Sequence, residues 1–208
     1  MTQQNTAPLP VTIISGYLGS GKTTLVNHLL RNADGRRLVV LVNDFGELPI
    51  DLDLIESVEG DTINLSNGCA CCSMGGDLFN ALIDVLVTLP RPDHLLIEAS
   101  GVADPVRMAN IACAEPDLRL DSIISLVDAE TLGDVINDPL GGETISHQLA
   151  ASDIVLLNKM DLIAKVEREG LTELVNRIAP SARTIETEFS FIPIDMALGI
   201  QLPYNPNK

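Results

Sequence analysis

Tryptophan is absent from this chain, and two tyrosines and four phenylalanines leave aromatic residues at 3% of the total. A core without large rings has to be filled by Val, Ile, Leu and Ala, the mixture of parallel sheets buried on both faces, which argues against an all-β sandwich. Positive charge is also scarce: thirteen Lys and Arg stand against twenty-nine Asp and Glu, a formal charge of -16. Such a surface repels phosphate backbones and anionic lipid headgroups, so general nucleic-acid binding and membrane association are excluded. The acids are scattered and form no tail, so most of the excess serves solubility. No apolar run approaches the roughly eighteen residues that span a bilayer. The opening MTQQNTAPLP lacks the basic start and apolar stretch of a secretory signal. The expectation is a cytoplasmic protein, and in a reducing cytosol clustered cysteines are more often a metal or redox site than a disulfide framework.

What is present is aliphatic. At 208 residues, 46% hydrophobic, with a mean hydropathy of +0.24, the chain is long enough for one domain with a sizeable core. A single domain over residues 1–208 is expected, with flexible ends at 1–9 and 203–208. Short apolar runs bounded by turn residues alternate with segments of helical period, the rhythm of repeated βα units. Strands are predicted at 11–15, 38–42, 95–98, 122–127 and 154–157, with a weaker edge strand at 184–187. Helices are predicted at 22–31, 77–89, 105–113, 144–150 and 166–178. The segment 45–73 breaks the rhythm: it is acidic, rich in Asn and Gly, and interrupted by Pro49. Long irregular insertions in compact α/β domains are usually functional or mobile.

The first strand runs directly into GYLGSGKT, residues Gly16 to Thr23, which satisfies Gly-x-x-x-x-Gly-Lys-Thr between a strand and a helix. Glycines Gly16, Gly19 and Gly21 let the backbone turn and aim successive N–H groups, with those of Ser20 and Thr24, at phosphates. The helix N-terminus adds a favourable dipole. Lys22 would reach the β and γ phosphates as a catalytic cation, and the Thr23 hydroxyl would ligate Mg²⁺. The pattern predicts an α/β three-layer P-loop NTPase fold with a mostly parallel central sheet.

Two later strand ends choose the nucleotide. In IVLLNKMD, Asn158, Lys159 and Asp161 end a strand at the edge where ligands bind in such sheets. A carboxylate there accepts from both N1–H and the exocyclic amine of guanine, whereas adenine presents an acceptor at N1. Asp161 therefore selects GTP over ATP. In HLLIEASGVADP, Glu98 would hold the Mg²⁺ shell or order water, and the Gly101 N–H would sense the γ-phosphate. Between the first two motifs, VNDFGE places Asn43, Asp44 and Glu47 past the second strand. An acidic residue here would orient the attacking water or contact Mg²⁺ through its shell, with Asp44 the catalytic candidate, and the flanking loop is expected to order with GTP.

Three of the four cysteines fall in NGCACC, as Cys69, Cys71 and Cys72. Cys69 and Cys71 can converge on one ion in a curled loop, and thiolates suit Zn²⁺ or Cu(I), with Co²⁺ and Ni²⁺ also accommodated. A reversible disulfide and simple packing are the competing readings. Three ligands this close leave an open position for water, Glu47, a histidine or a partner's ligand, which suits a site that must release its ion. Cys113, alone on its helix, reads as a small core residue. His28, His94 and His147 are isolated and read as structural or surface residues, with His147 the best donor among them.

Together, GYLGSGKTT, NDFGE, NGCACC followed by GDL, EASGVADP, VDA at Val127 to Ala129, and NKMD resemble the nucleotide-binding domain of the CobW family, related to the hydrogenase and urease maturation GTPases HypB and UreG. The resemblance implies a GTPase that handles a transition metal, most often zinc, at Cys69, Cys71 and Cys72 with Glu47, and delivers it to a client metalloprotein or cofactor-assembly enzyme. It also implies pairing of copies in a nucleotide-dependent manner. Most family members continue into a smaller C-terminal domain, which these 208 residues do not include. The alternatives are a regulatory GTP switch with a structural or redox cysteine site, and a GTP-dependent helper in cobalamin-type cofactor assembly.

Overall fold

The computed structural model describes residues 7–43, 62–64 and 74–199, with backbone only at 43, 62–64 and 74–77. The described chain runs β1 (Leu9–Gly16), α1 (Lys22–Arg31), β2 (Leu38–Asn43), β3 (Thr62–Asn64), α2 (Met74–Val87), β4 (His94–Ala99), α3 (Pro105–Cys113), β5 (Leu118–Asp128), α4 (Leu132–Asn137), α5 (Gly141–Ala150), β6 (Ile154–Asn158), a 3-10 turn (Met160–Leu162), α6 (Lys165–Ile178), β7 (Arg183–Glu186) and α7 (Ile194–Ala197). Among the described residues the strands form one sheet in the order β3-β2-β4-β1-β5-β6-β7, and all six pairings are parallel.

Strand alternation divides the core into layers. Val39 and Leu41 face one side with α2 and α3, through Leu82, Val85, Met108 and Ala112. Val40 and Val42 face the other with α1, through Leu25, Val26 and Leu29. Further along the first side, Val127, Val155 and Leu157 pack on Leu132 of α4, Ile145 and Leu149 of α5, and Val175 of α6. The near-continuous aliphatic runs of β1, β4 and β6 are thereby covered on both faces, as the scarcity of aromatics required.

Because β1 lies between β4 and β5, the chain leaves it toward one edge of the sheet first and the other later. The crevice outside the strands' carboxyl ends at this switch point is where doubly wound sheets bind ligands. Register brings Glu98 beside Ile14 and Asn158 beside Asp128, so the motif-bearing ends of four strands share one edge.

The predicted helices at 22–31 and 105–113 have the observed bounds. The α2 helix ends at Val87, short of the predicted 89, where Thr88 N–H and Oγ1 donate to Val85 O and Asp84 O and Leu89 precedes Pro90. β5 starts four residues before the predicted 122, since its polar opening hides the strand. The segment 45–73, read as irregular, contains β3, and α4 and α7 were not anticipated; none of the three exceeds six residues, too few for a periodic signal. Among the described residues no helix is long and apolar enough to cross a membrane.

Candidate nucleotide site

The phosphate loop needs its glycines. Gly16, Gly19 and Gly21 have φ of 137°, 74° and 105°, in the region that disfavours side chains. A Cβ on Gly16 would lie 2.4 Å from Leu126 O, and one on Gly21 would lie 2.5 Å from Ser190 Oγ and 2.6 Å from Asn158 Nδ2. Gly21 is the N-cap of α1 and has no side chain with which to cap it, so the first-turn N–H groups stay available to an anion.

Lys22 Nζ curls back to donate to Gly16 O at 3.0 Å and Tyr17 O at 3.3 Å. Thr23 Oγ1 donates to Glu98 Oε1 at 2.7 Å. A cavity of about 310 Å³ opens here, lined by Gly19, Lys22, Thr23, Thr24, Glu98 and Gly101 among others. Residues separated by more than seventy positions thus meet as the sequence predicts, with Ser20 buried beneath them. Two hard oxygens in contact at the mouth of an anion-binding loop form a donor set that fits Mg²⁺.

The Asn158, Lys159, Asp161 motif divides. Asn158 is buried: its Nδ2 donates to Ser20 O at 2.9 Å and Ser190 Oγ at 2.8 Å, and its Oδ1 accepts from Ser190 N at 2.8 Å. Ser190 Oγ in turn donates to Gly21 O at 3.0 Å. Asn158 is therefore the staple between β6, the phosphate loop and the segment after β7. Lys159 sits at φ 62°, and its Nζ donates to Asp128 Oδ2 at 2.6 Å, while Asp128 Oδ1 accepts from Glu130 N–H. Asp161 lies exposed on the 3-10 turn, outside the phosphate cavity.

Ser190 is a site residue that sequence reasoning missed. It and Phe189 hold left-handed backbone, φ 58° and 53°, with neither Gly nor Asn to announce the turn. Its only signal is topological, since it follows an edge strand at the carboxyl edge.

Several expectations fall elsewhere. Asp44, Glu47, Cys69, Cys71 and Cys72 lie outside the described residues. Cys113 is exposed, which corrects its reading as core: α3 buries Pro105, Met108, Ala109 and Ala112, and position 113 falls beside that stripe. His28 Nε2 lies 2.8 Å from Ile192 O, a structural tie. His147 is half exposed, with Nδ1 3.7 Å from Asp104 Oδ1. His94 is buried at the opposite edge of the sheet, Nε2 2.9 Å from Thr12 Oγ1. Burial, then the nearby Arg119 and Arg36, lowers its pKa from 6.5 to about 4, so it is neutral. Among the described residues no cluster of three metal-ligating side chains occurs.

Residues 10–186 match the family described as CobW/HypB/UreG, nucleotide-binding domain. The chain belongs to this family. It is similar to the zinc chaperone CobW of Sinorhizobium sp, 32% identical over 94% of this chain and 64% of that protein. It is also similar to the zinc-regulated GTPase metalloprotein activator 1 of Schizosaccharomyces pombe, 32% identical over 88% of this chain and 46% of that protein. The crystal structure of the Zn(II)-bound YjiA GTPase from E. coli superposes with a TM-score of 0.61 at 28% identity, covering 86% of this chain and 57% of that one. The chain thus spans about half to two thirds of the proteins it matches. As a CobW/HypB/UreG nucleotide-binding domain it has the P-loop NTPase fold that its motifs predicted.

Proposed function

We propose that this chain is the GTP-hydrolysing part of a zinc metallochaperone. The observation that carries the reading is the convergence of Lys22, Thr23, Glu98 and Gly101 on one cavity, with Asn158 stapled to the same loop. Lys22 exchanges two backbone carbonyls for the β and γ phosphates of GTP, and the N–H groups of residues 19–24 cradle them. Thr23 and Glu98 would hold Mg²⁺, which when bound neutralises charge on the phosphate oxygens. Asp161, free at the surface turn to meet a base edge, reads guanine, and Asp44 orients the attacking water.

The zinc ion is cargo, held by Cys69, Cys71 and Cys72 with Glu47 and passed to a client metalloprotein. In the sequence these ligands fall between Asp44 and Glu98, and in this reading the nucleotide state and the metal site bias one another reciprocally. The family and the zinc-linked names of its similar proteins support this reading.

GTP turnover titrated with Zn²⁺, Co²⁺, Ni²⁺ and Fe²⁺ tests it, comparing the wild type with the Cys69→Ser, Cys71→Ser double variant. Zinc is expected to change wild-type turnover several-fold and to leave the variant unmoved. Turnover that ignores every metal in both proteins would reject the coupling.

A further inference from the structure

The face of the sheet beneath Gly101 carries a buried polar seam that the hydrolytic residues do not use. Gln148 of α5 is 1% exposed, and its Nε2 donates to two backbone carbonyls, Gly101 O at 3.2 Å and Ala103 O at 3.1 Å. Ser152 Oγ donates to Ser125 Oγ at 2.6 Å, Ser125 Oγ donates to Gln148 O at 3.2 Å, and Ser152 Oγ lies 2.7 Å from the same carbonyl. Gln148 Oε1 and Ser15 Oγ are buried without a hydrogen-bond partner among the described residues. Gln148 thus keeps an unused acceptor beside the two carbonyls it holds, and Ser15 stands opposite Ser125 in the neighbouring strand.

The segment above is held on every side. Ala103 N–H donates to Ser100 O at 3.0 Å, closing a turn. Asp104 caps α3 by accepting from the N–H groups of Val106 and Arg107. A Cβ on Gly101 would lie 2.5 Å from Leu18 of the phosphate loop, so the two loops touch. In a trans peptide the N–H points opposite to the C=O. With the Gly101 and Ala103 carbonyls turned to Gln148, the N–H groups of Val102 and Asp104 point away from α5.

We propose that Gln148 is a positioning residue for the terminal phosphate, holding segment 101–103 in the arrangement that receives GTP and so favouring GTP over GDP. The inference rests on reading the cavity as a GTP site. It gives α5, which lies outside the nucleotide cavity, a direct link to the nucleotide state.

The test compares affinities for a non-hydrolysable GTP analogue and for GDP in the wild type, Gln148→Leu and Ser152→Ala. Gln148→Leu should weaken the analogue about tenfold while GDP binding stays within about twofold. Ser152→Ala removes a neighbouring buried hydroxyl that does not touch the segment, and should lower stability without moving the ratio. An unchanged ratio in Gln148→Leu, or an equal change in Ser152→Ala, overturns the proposal. Should Gln148→Leu fail to fold, wild-type hydrogen exchange decides: peptides covering 101–103 and 144–150 must change protection together between GDP and analogue, and a change in the first alone overturns it. Wild-type protein that binds neither nucleotide would reject the GTP site and the positioning role of Gln148 with it. A wild type that prefers GTP with a ratio unmoved in Gln148→Leu rejects the positioning role alone.

Discussion

The two edges of the parallel sheet are both lined with buried polar residues, yet they are built for different ends. At the carboxyl edge, Lys22 and Thr23 hold one another's surroundings in place through bonds a ligand can replace, to loop carbonyls and to Glu98, beside an open cavity. At the amino edge, His94 is closed against Thr12, and Asp121 accepts from Gly199 N–H with Arg119 at 3.4 Å. Burial of polar groups is common to both. The mark of a site is that the hydrogen bonds are exchangeable and face a space large enough for the exchange.

Breaking the carboxyl edge should cost function and spare the fold. Lys22→Met is expected to lower GTP turnover about 10²- to 10³-fold, the cost of removing a preorganised charge at a reacting phosphate. Its melting temperature should stay within about 3 °C, because the hydrogen bonds of Lys22 to Gly16 O and Tyr17 O stay within the loop that carries it; steady-state kinetics and calorimetry check the pair. Asn158→Ala should damage fold and site together, since this staple serves both. Losing three buried hydrogen bonds should cost about 3 kcal/mol in chemical denaturation, and nucleotide affinity should fall with it. Asp161→Asn, on the exposed turn, should leave stability unchanged and weaken GTP about a hundredfold while improving xanthosine triphosphate. The amide donates where the carboxylate accepts, and xanthine carries a carbonyl where guanine carries the amine.

The amino edge should respond to pH and not to nucleotide. His94 is neutral when folded, with a pKa of about 4 against 6.5 unfolded, so the unfolded chain binds the extra proton between those values. Stability is complete above about pH 6.5 and falls as pH drops toward 4, on the order of 2 kcal/mol by pH 4.5. Denaturation across that range should show His94→Gln losing this component of the slope, with GTP affinity at pH 7 unaltered.

The same contrast separates what the sequence made legible from what it did not. α1 and α3 were readable to the residue because local chemistry announces them: a glycine loop before Lys22, and an Asp104-Pro105 start. The placement of the phosphate loop, Glu98 and Asn158 at one edge was readable because each stands at the carboxyl end of a strand. Ser190 was not, since its left-handed backbone is imposed by Asn158 and Gly21 across the fold and not by its own residue type. Gln148 was not, because its partners lie 45 and 47 positions away and exist only once α5 packs beneath segment 101–103. Cys113 was misread because a one-position shift around a helix turns a core site into a surface one.

If nucleotide and metal are read by one molecule, zinc affinity must depend on which nucleotide is bound. With a non-hydrolysable GTP analogue bound, competition titration should give a zinc dissociation constant that differs from the GDP form by about tenfold or more, the size of an ordinary coupling free energy. The Cys69→Ser, Cys71→Ser variant should lose that difference. Equal zinc affinity in the two nucleotide states of the wild type would show that the two sites are uncoupled.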